Sequence, residues 1–277
     1  MKWLSLLLII VACQKSPSLH HFSGTAFQIP YHIQIGHFLS RDDEEAVVGV
    51  IEKLFTHIDR TFNHWNAQSE VSSLNGWPIN QPFAASEDLI DLLHMCQSIH
   101  ELTEGRFDPT IGALTTNLKE GQDLESVCGF EHVKIQGLLV TKTAPVKFDF
   151  DGIVKGYAID RLIDCLSEYD NVYVEWGGEI SVMGYHPQKR PWKILVGKTT
   201  IDLTEGALAT SSDALQQFGD VTHIIDPKTG AALPIRNRCV SIKAPSCALA
   251  DALATACMIE DLSDRINQLP ATEVIQP

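Results

Sequence analysis

The sequence predicts an α+β fold in which mixed or antiparallel sheets pack against helices. Strand and helix patterns are interspersed along the chain but form few regular βαβ units, which argues against a parallel sheet. No internal repeat and no low-complexity linker divides the 277 residues, and one large hydrophobic core can accommodate this length. We therefore expect one folded domain over residues 22–277.

The first half of the chain is predicted to contain a strand pair or one bent strand, followed by two helices. Residues 22–35 alternate apolar and polar side chains, as strands with one buried face do. Apolar residues then recur at helical spacing over residues 42–62 and 86–104. Ser86 is the predicted N-cap of the second helix and Gly105 its predicted C-cap.

The second half is predicted to contain short strands and two further helices. Val172, Val174 and Trp176 lie on one face of a strand that ends at two glycines. The remaining predicted elements are strands over 146–150, 192–196 and 240–243 and helices over 157–166 and 248–259.

Charge restricts the classes of ligand. The formal net charge of -14 excludes a nucleic-acid-binding function, which needs a basic face. The same charge opposes the binding of a dinucleotide unless a divalent cation offsets the repulsion. If the chain binds a dinucleotide, we therefore expect carboxylate and other oxygen ligands for such a cation.

The first residues predict export. Met1-Lys2-Trp3 is a short basic segment, and an apolar run leads to Ala12 and Cys13, as in a secretory signal. The residues before Cys13 resemble a bacterial lipobox, in which the Cys is acylated; an ordinary cleaved signal is the alternative. We expect a signal peptide over 1–12, a tether over 13–21 after lipidated Cys13, and a lipid anchor in the bacterial cell envelope. The inner membrane, facing the periplasm, is the predicted location, although Gln14 does not fix which membrane.

The other cysteines do not predict a metal or redox motif. Six follow Cys13 and none forms a CxxC pair, so zinc and thioredoxin-type sites are weakly supported. Export permits disulfides, but most of these cysteines lie in apolar stretches typical of small core residues. No bridge is assigned.

Residues 148–157 combine an acidic strand end, a glycine turn and the start of a helix. Backbone amides at such a helix start favour an anion, and Lys155 adds a positive charge. The glycine spacing fits neither a Walker loop nor a Rossmann fingerprint. A plain strand–turn–helix junction is the alternative.

Asp251 and Thr255 are one helical turn apart in an otherwise apolar helix. At positions i and i+4 both side-chain oxygens can converge on one hard cation. One carboxylate, one hydroxyl and a backbone carbonyl suit Mg2+, and a buried Asp requires a partner. The alternative is an Asp near a helix start beside a β-branched core residue.

His223 precedes a turn of sequence Asp-Pro-Lys-Thr-Gly. Its ordinary pKa near neutrality suits a general base, although the segment is equally compatible with a simple turn. Two other segments are compatible with a ligand site. The glycines after Trp176 permit a close approach of the backbone to a ligand, or else form a bulge. Residues 210–213 supply hydroxyls that either line a phosphate site or end a strand.

The order of these motifs resembles the ApbE family of FAD:protein FMN transferases. The resemblance spans about residues 22–259 and is carried by eight ordered segments: 24–25, 69–75, 105–112, 149–160, 176–180, 209–211, 223–230 and 251–256. It implies an ApbE-like, T-fold-like catalytic domain. The lipoprotein start is also similar to that family.

The resemblance implies roles for individual residues. His223 matches the proposed general base. Mg2+ coordination is implied for Asp251, Thr255 and the backbone oxygen of Gly152, with Ala254 nearby. The FAD site is implied to include Ser23, Trp65, Arg106, Phe107, Asp108, Asp149, Lys155 and Ile224.

Three positions depart from the family pattern. Asp151 and Ser212 stand where Gly is common, and Ser23 stands where Met is frequent. Asp151 beside the cation site would strengthen metal binding or crowd the diphosphate. These departures bear on FAD affinity more than on reaction type.

The resemblance implies transfer of FMN from FAD, the substrate, to a Ser or Thr hydroxyl of another protein, with Mg2+ as cofactor and AMP released. The implied acceptors are subunits of membrane redox pumps such as the sodium-translocating NADH:quinone reductase or Rnf complexes. Two alternatives remain open: an FAD pyrophosphatase that forms FMN and AMP, and a non-catalytic flavin-binding lipoprotein. A third, a structural surface lipoprotein, would leave the expected buried Asp251 unexplained.

Overall fold

A computed structural model of the chain describes residues 18–214 and 216–275. Cys13, the predicted signal peptide and most of the predicted tether lie outside these residues. No helix in the described part is both long enough and apolar enough to cross a membrane. The helices are α1 Arg41–Phe62, α2 Glu70–Gly76, α3 Glu87–Leu102, α4 Gly112–Glu120, α5 Val154–Cys165, α6 Cys247–Ile259 and α7 Ser263–Ile266, with a 3-10 turn at Phe130–His132.

Within the described residues, the strands form one large sheet and three small ones. They are β1 His20–Ala26, β2 Ile29–Ile35, β3 Phe83–Ala84, β4 Val133–Gln136, β5 Leu139–Lys142, β6 Val172–Trp176, β7 Glu179–Met183, β8 Trp192–Val196, β9 Thr199–Leu203, β10 Glu205–Ser212, β11 Gln217–Phe218, β12 Val221–Ile225, β13 Ala232–Pro234, β14 Cys239–Ala244 and β15 Glu273–Ile275. The large sheet has the order β1-β2-β6-β7-β10-β14-β15 and every pair in it is antiparallel. The small sheets are β11-β12-β13, β3-β5-β4 and β8-β9. The predicted α+β class with antiparallel sheets is confirmed.

The main core lies between one face of the large sheet and the helices. Ile33, Val174 and Trp176 point from the sheet into this core and are almost fully buried. On the opposite face of the same sheet, Ile180 and Val182 of β7 form a smaller cluster with the β8–β9 hairpin. Helix α6 is apolar on nearly all sides because it packs against β10, β14 and α5 in the interior.

Local sequence explains how most helices begin. The Ser40 side chain accepts from the Asp43 amide and the Ser40 amide donates to Asp43, which forms a capping box at α1. Ser86 caps α3 as predicted. The end of α3 differs from the prediction because Thr103 is its C-cap, and both Glu104 and Gly105 adopt positive φ in the turn that follows.

The predicted strand over residues 146–150 is wrong. The Asn75 side chain bonds this segment, accepting from the Phe148 amide at 2.6 Å and donating to the Phe148 carbonyl at 2.9 Å. On either side of Phe148, the Lys147 carbonyl accepts from the Gly112 amide and the Asp149 amide donates to the Pro109 carbonyl. Because Asn75 and a loop satisfy this backbone, the segment remains extended and forms an isolated bridge instead of a strand of a sheet.

Candidate active site

The close contact between α5 and α6 positions the candidate site. A Cβ atom at Gly156 would lie 2.3 Å from the Cys247 carbonyl oxygen, so only glycine fits where the helices meet. This approach brings the Gly156 amide within 3.1 Å of the Asp251 carboxylate, which accepts its hydrogen bond. The start of α5 therefore lies against the first two turns of α6.

The predicted cation ligands come together at this contact. A Cβ atom at Gly152 would lie 3.4 Å from Thr255 Oγ1, so the glycine backbone lies directly beside the hydroxyl. Thr255 Oγ1 also lies 3.2 Å from Ser211 Oγ. Ala254, on the same helix, is fully buried and offers no polar side chain. A buried carboxylate, a hydroxyl and an adjacent glycine backbone form a hard-oxygen donor set that fits Mg2+.

A buried ion pair lies next to Asp251. Lys155 Nζ is 2.5 Å from Glu179 Oε1, and Glu179 is 2% exposed. Burial raises the pKa of Asp251, whereas the charge of Lys155 lowers it. Burial by itself lowers the pKa of Lys155, but Asp251 and Glu179 outweigh it and the net shift is upward. Lys155 therefore stays charged and compensates two carboxylates.

Glu179 belongs to the segment 176–180 that carries the family resemblance, but the sequence analysis gave it no role of its own. Burial raises its pKa to about 7, although Lys155 opposes the shift. Its Oε2 atom is buried and has no hydrogen-bond partner among the described residues. The only sequence signal is a charged residue in the apolar strand β7, directly after Gly177-Gly178.

His223 lies on β12 with one ring nitrogen engaged. Its Nδ1 is 3.2 Å from the Gln216 carbonyl oxygen, which can only accept, so Nδ1 carries the proton and Nε2 keeps its lone pair. Burial lowers the pKa of His223, and the charges of Lys119 and Lys155 lower it further while Asp149 opposes them. His223 is thus held neutral, the form that a general base requires.

The turn after β12 is held by Arg106. Its guanidinium lies 3.1 Å from Asp226 and 2.5 Å from Glu260 at the end of α6. Arg106 therefore links the turn after the His223 strand to the end of the helix that carries Asp251. Ile224, beside His223, is buried and belongs to the main core.

Phe107 and Asp108 follow Arg106 in a buried loop. The Phe107 ring lies beside Gly152, 3.7 Å from where a Cβ would stand. The Asp108 carboxylate accepts from the Thr110 amide at 2.8 Å, the Thr110 hydroxyl at 2.6 Å and the Phe130 amide at 3.1 Å. Asp108 therefore fixes the loop that carries its neighbours.

Trp65 and Asp149 lie in a second group of predicted residues. Trp65 is 52% exposed, and Lys119 Nζ lies 3.8 Å above its ring. Asp149 is buried and accepts from the Thr115 hydroxyl and the Asp151 amide, each at 2.8 Å. Desolvation and the charge of Asp149 raise the pKa of Asp151 to about 6.

Ser23 is not brought together with these residues. Across the sheet, Ser23 is paired with His32, and His32 with Glu175. Glu179 is paired with Trp176, the residue next to Glu175 on the same strand. Successive residues of a strand point to opposite faces, so Ser23 lies on the sheet face opposite the Lys155–Glu179 pair. Ser212, the other departure on a strand, accepts from the Ala214 amide at 3.1 Å in a local turn.

A cavity of about 450 Å³ lies apart from this group. It shares no residue with the predicted site and is lined by α3, α5, β7 and β10 side chains together with Pro245 and Ser246. The Asp160 carboxylate at its edge accepts from the amides of Cys247 and Ala248 at 2.7 and 2.9 Å. Because this carboxylate caps the start of α6, we assign it a structural role.

Comparisons with known proteins agree over most of the chain. A model of the ApbE family matches residues 24–275. An FAD:protein FMN transferase of Chlamydia pneumoniae is 35% identical over 285 residues, covering 94% of this chain and 91% of that protein. The ApbE protein of Thermotoga maritima is similar in structure, with TM-score 0.80, 27% identity and 93% of both chains covered. The apo flavinyl transferase ApbE of Pseudomonas stutzeri, at 23% identity and TM-score 0.81 over 90% of this chain and 87% of that one, is similar in fold.

Proposed function

Because this chain belongs to the ApbE family, as the order of its motifs predicted, we propose that it transfers FMN from FAD to a hydroxyl side chain of another protein. The relatives named FAD:protein FMN transferase support the transferase class. The need for Mg2+, the release of AMP and the choice of a Ser or Thr acceptor are the finer parts of the proposal.

The observation that carries the proposal is the convergence of Gly152, Asp251 and Thr255 where α5 meets α6. Gly152 is far from Asp251 and Thr255 in sequence, and the fold brings it beside Thr255. The Asp251 carboxylate is 3% exposed in an apolar helix, where the Gly156 amide satisfies one of its oxygens. Mg2+ bound by their oxygens would offset the negative charge of the FAD diphosphate and of its leaving group.

His223 would prepare the nucleophile. Its Nε2 lone pair is available because Nδ1 is committed to Gln216. In the proposed step the acceptor oxygen bonds to the FMN phosphorus and the bond from that phosphorus to the bridging oxygen breaks. AMP leaves with the bridging oxygen, and the acceptor proton passes to His223 Nε2.

Lys155 would act mainly on the charge balance of the site. It is already paired with Glu179 and close enough to Asp251 to influence its pKa. Removing this cation would leave two buried carboxylates facing a polyanionic substrate. We therefore assign Lys155 to holding the site in a charge state that accepts FAD.

The acceptors and the location extend the proposal beyond the folded domain. We propose that lipidated Cys13 anchors the enzyme to the inner membrane, where it faces the periplasm and modifies subunits of sodium-translocating NADH:quinone reductase or Rnf-type complexes. The support is the apolar run before Cys13. Radiolabelled palmitate incorporation into wild type but not Cys13→Ala tests the anchor.

Transfer and hydrolysis are separated by one experiment. The purified protein is incubated with FAD and Mg2+, with and without a hydroxyl-bearing acceptor domain, and free FMN and protein-bound flavin are both quantified. The proposal predicts covalent fluorescent acceptor and little free FMN when acceptor is absent. Rapid FMN release without acceptor, and no adduct with it, would instead establish the pyrophosphatase. Reversible FAD binding with neither product would establish the non-catalytic alternative.

A further inference from the structure

Three side chains beside Trp65 have the composition of a second metal site. One ligand atom each from His64, Asp149 and Asp151 lies within 4.8 Å of the other two. None of these residues belongs to the oxygen set of Gly152, Asp251 and Thr255, and the proposed transfer gives His64 no role.

His64 is the residue that requires an explanation. Its side chain is 7% exposed, and neither ring nitrogen has a hydrogen-bond partner among the described residues. An unpaired buried polar group loses its hydrogen bonds to water without replacement, so native structures rarely leave one without a ligand or a water molecule. His64 Nδ1 instead faces Asp149 Oδ1 at 3.7 Å and Asp151 Oδ1 at 3.9 Å.

These separations are too long for hydrogen bonds but close to those between ligands of one ion. Metal–ligand bonds of roughly 2.0–2.2 Å in a tetrahedral zinc site place neighbouring ligand atoms roughly 3.3–3.6 Å apart. Among the described residues, neither His64 ring nitrogen makes a hydrogen bond to these carboxylates. The arrangement therefore matches separate ligands around a common centre better than an ion pair.

The surroundings of Asp149 support the same assignment. The Thr115 hydroxyl donates to its Oδ2 and the Asp151 amide donates to its Oδ1, which fixes the carboxylate and leaves an Oδ1 lone pair toward His64. Such hydrogen bonds orient metal-binding carboxylates. Asp151 is 57% exposed, so an ion has access from solvent.

We propose that His64, Asp149 and Asp151 bind a transition-metal ion of the zinc class, separate from the Mg2+ of the proposed transfer site. An imidazole with two carboxylates suits Zn2+ or Co2+, whereas Mg2+ takes oxygen ligands. Lys119, 4.0 Å from Asp151 Oδ2, lies on the far oxygen of that carboxylate and would be displaced or repelled on binding. The resulting site has open positions that water or a substrate oxygen can occupy.

Direct metal binding tests this inference. The full-length protein without FAD is held in excess Mg2+ to fill the oxygen site, then titrated with Zn2+ by calorimetry and with Co2+ by visible absorption. We expect one added ion and a Co2+ ligand-field band. His64→Gln should weaken this binding at least tenfold, while His57→Gln should not change it, because His57 pairs with Asp88 on a partly exposed surface.

A second variant distinguishes the loss of a metal ligand from misfolding of His64→Gln. Asp151 has negative φ and an exposed side chain, so Asp151→Gly should keep the fold while removing one ligand, and it should also weaken Zn2+ binding. The inference is overturned if wild type binds no added ion, or if both ligand variants bind Zn2+ as tightly as His57→Gln. Neither result depends on FMN transfer, which is measured separately.

Discussion

At the scale of single residues, the function of His223 depends on which nitrogen is free. The Gln216 carbonyl fixes the proton on Nδ1 and leaves Nε2 as the only basic atom. We expect His223→Ala to reduce kcat for FMN transfer by about 10²–10⁴-fold, the usual contribution of a general base. The Kd for FAD, measured by fluorescence quenching, should change little. Unchanged kcat would remove His223 from the reaction.

The pH dependence of transfer follows from the same residue. Burial, Lys119 and Lys155 lower the pKa of His223 below its ordinary value of 6.5, and only the neutral ring can accept a proton. We therefore expect kcat/KM to rise with pH through a midpoint below 6.5 and to be constant near neutrality. Stopped-flow rates from pH 5 to 8 give the midpoint; a midpoint above 7 contradicts this assignment.

Single residues also show what the sequence could and could not predict. Asp251 and Thr255 are four positions apart in one helix, so their proximity follows from helical geometry. Glu179 and His64 depend on partners far away in the chain, Lys155 for one and Asp149 for the other. The spacing of residues in the sequence does not reveal such contacts, and the burial of Glu179 and His64 is evident only from the structure.

At the scale of secondary-structure elements, the site depends on how closely α5 approaches α6. Gly156→Ala would place a Cβ 2.3 Å from the Cys247 carbonyl, so the helices must separate. We expect the free energy of unfolding in urea to fall by about 1–3 kcal/mol, the usual cost of overpacking. FMN transfer should fall as well, because Gly152 and Asp251 move apart.

Gly49→Ala is the matched control for that change. Gly49 lies inside α1, and apart from the adjoining helix backbone no described atom lies within 4 Å of its Cβ position. Replacing it should raise the free energy of unfolding by about 0.5–1 kcal/mol, because alanine favours helix more than glycine does. If Gly156→Ala and Gly49→Ala changed the free energy of unfolding by the same amount, the close approach of α5 to α6 would not be what requires glycine at position 156.

Elements whose periodicity is strong were predicted well, and those held by side chains were not. The helices near 42–62 and 248–259 and the strand Val172–Trp176 have clear apolar patterns and lie where expected. The segment 146–150 has the composition of a strand, but Asn75 bonds its backbone from a different part of the chain. A composition pattern specifies which face is apolar and does not specify the hydrogen-bond partner.

At the scale of the whole molecule, the net charge of -14 acts on every anionic ligand. Without a divalent cation, this charge should repel FAD, and salt should screen the repulsion. We expect the Kd for FAD in Mg2+-free buffer to decrease as NaCl rises from about 50 to about 500 mM, where the Debye length shortens severalfold. An increase in Kd over that range would show that local cations such as Lys155 dominate instead.

The most direct test of the account is the metal dependence of Asp251→Asn. Asp160→Asn is the control, because that carboxylate is also close to the α5–α6 contact but caps a helix. Acceptor protein is incubated with FAD over a Mg2+ titration, and attached FMN is counted by mass spectrometry. We predict Mg2+-dependent labelling by wild type and Asp160→Asn, and almost none by Asp251→Asn. Labelling by Asp251→Asn with the wild-type Mg2+ dependence would contradict the account.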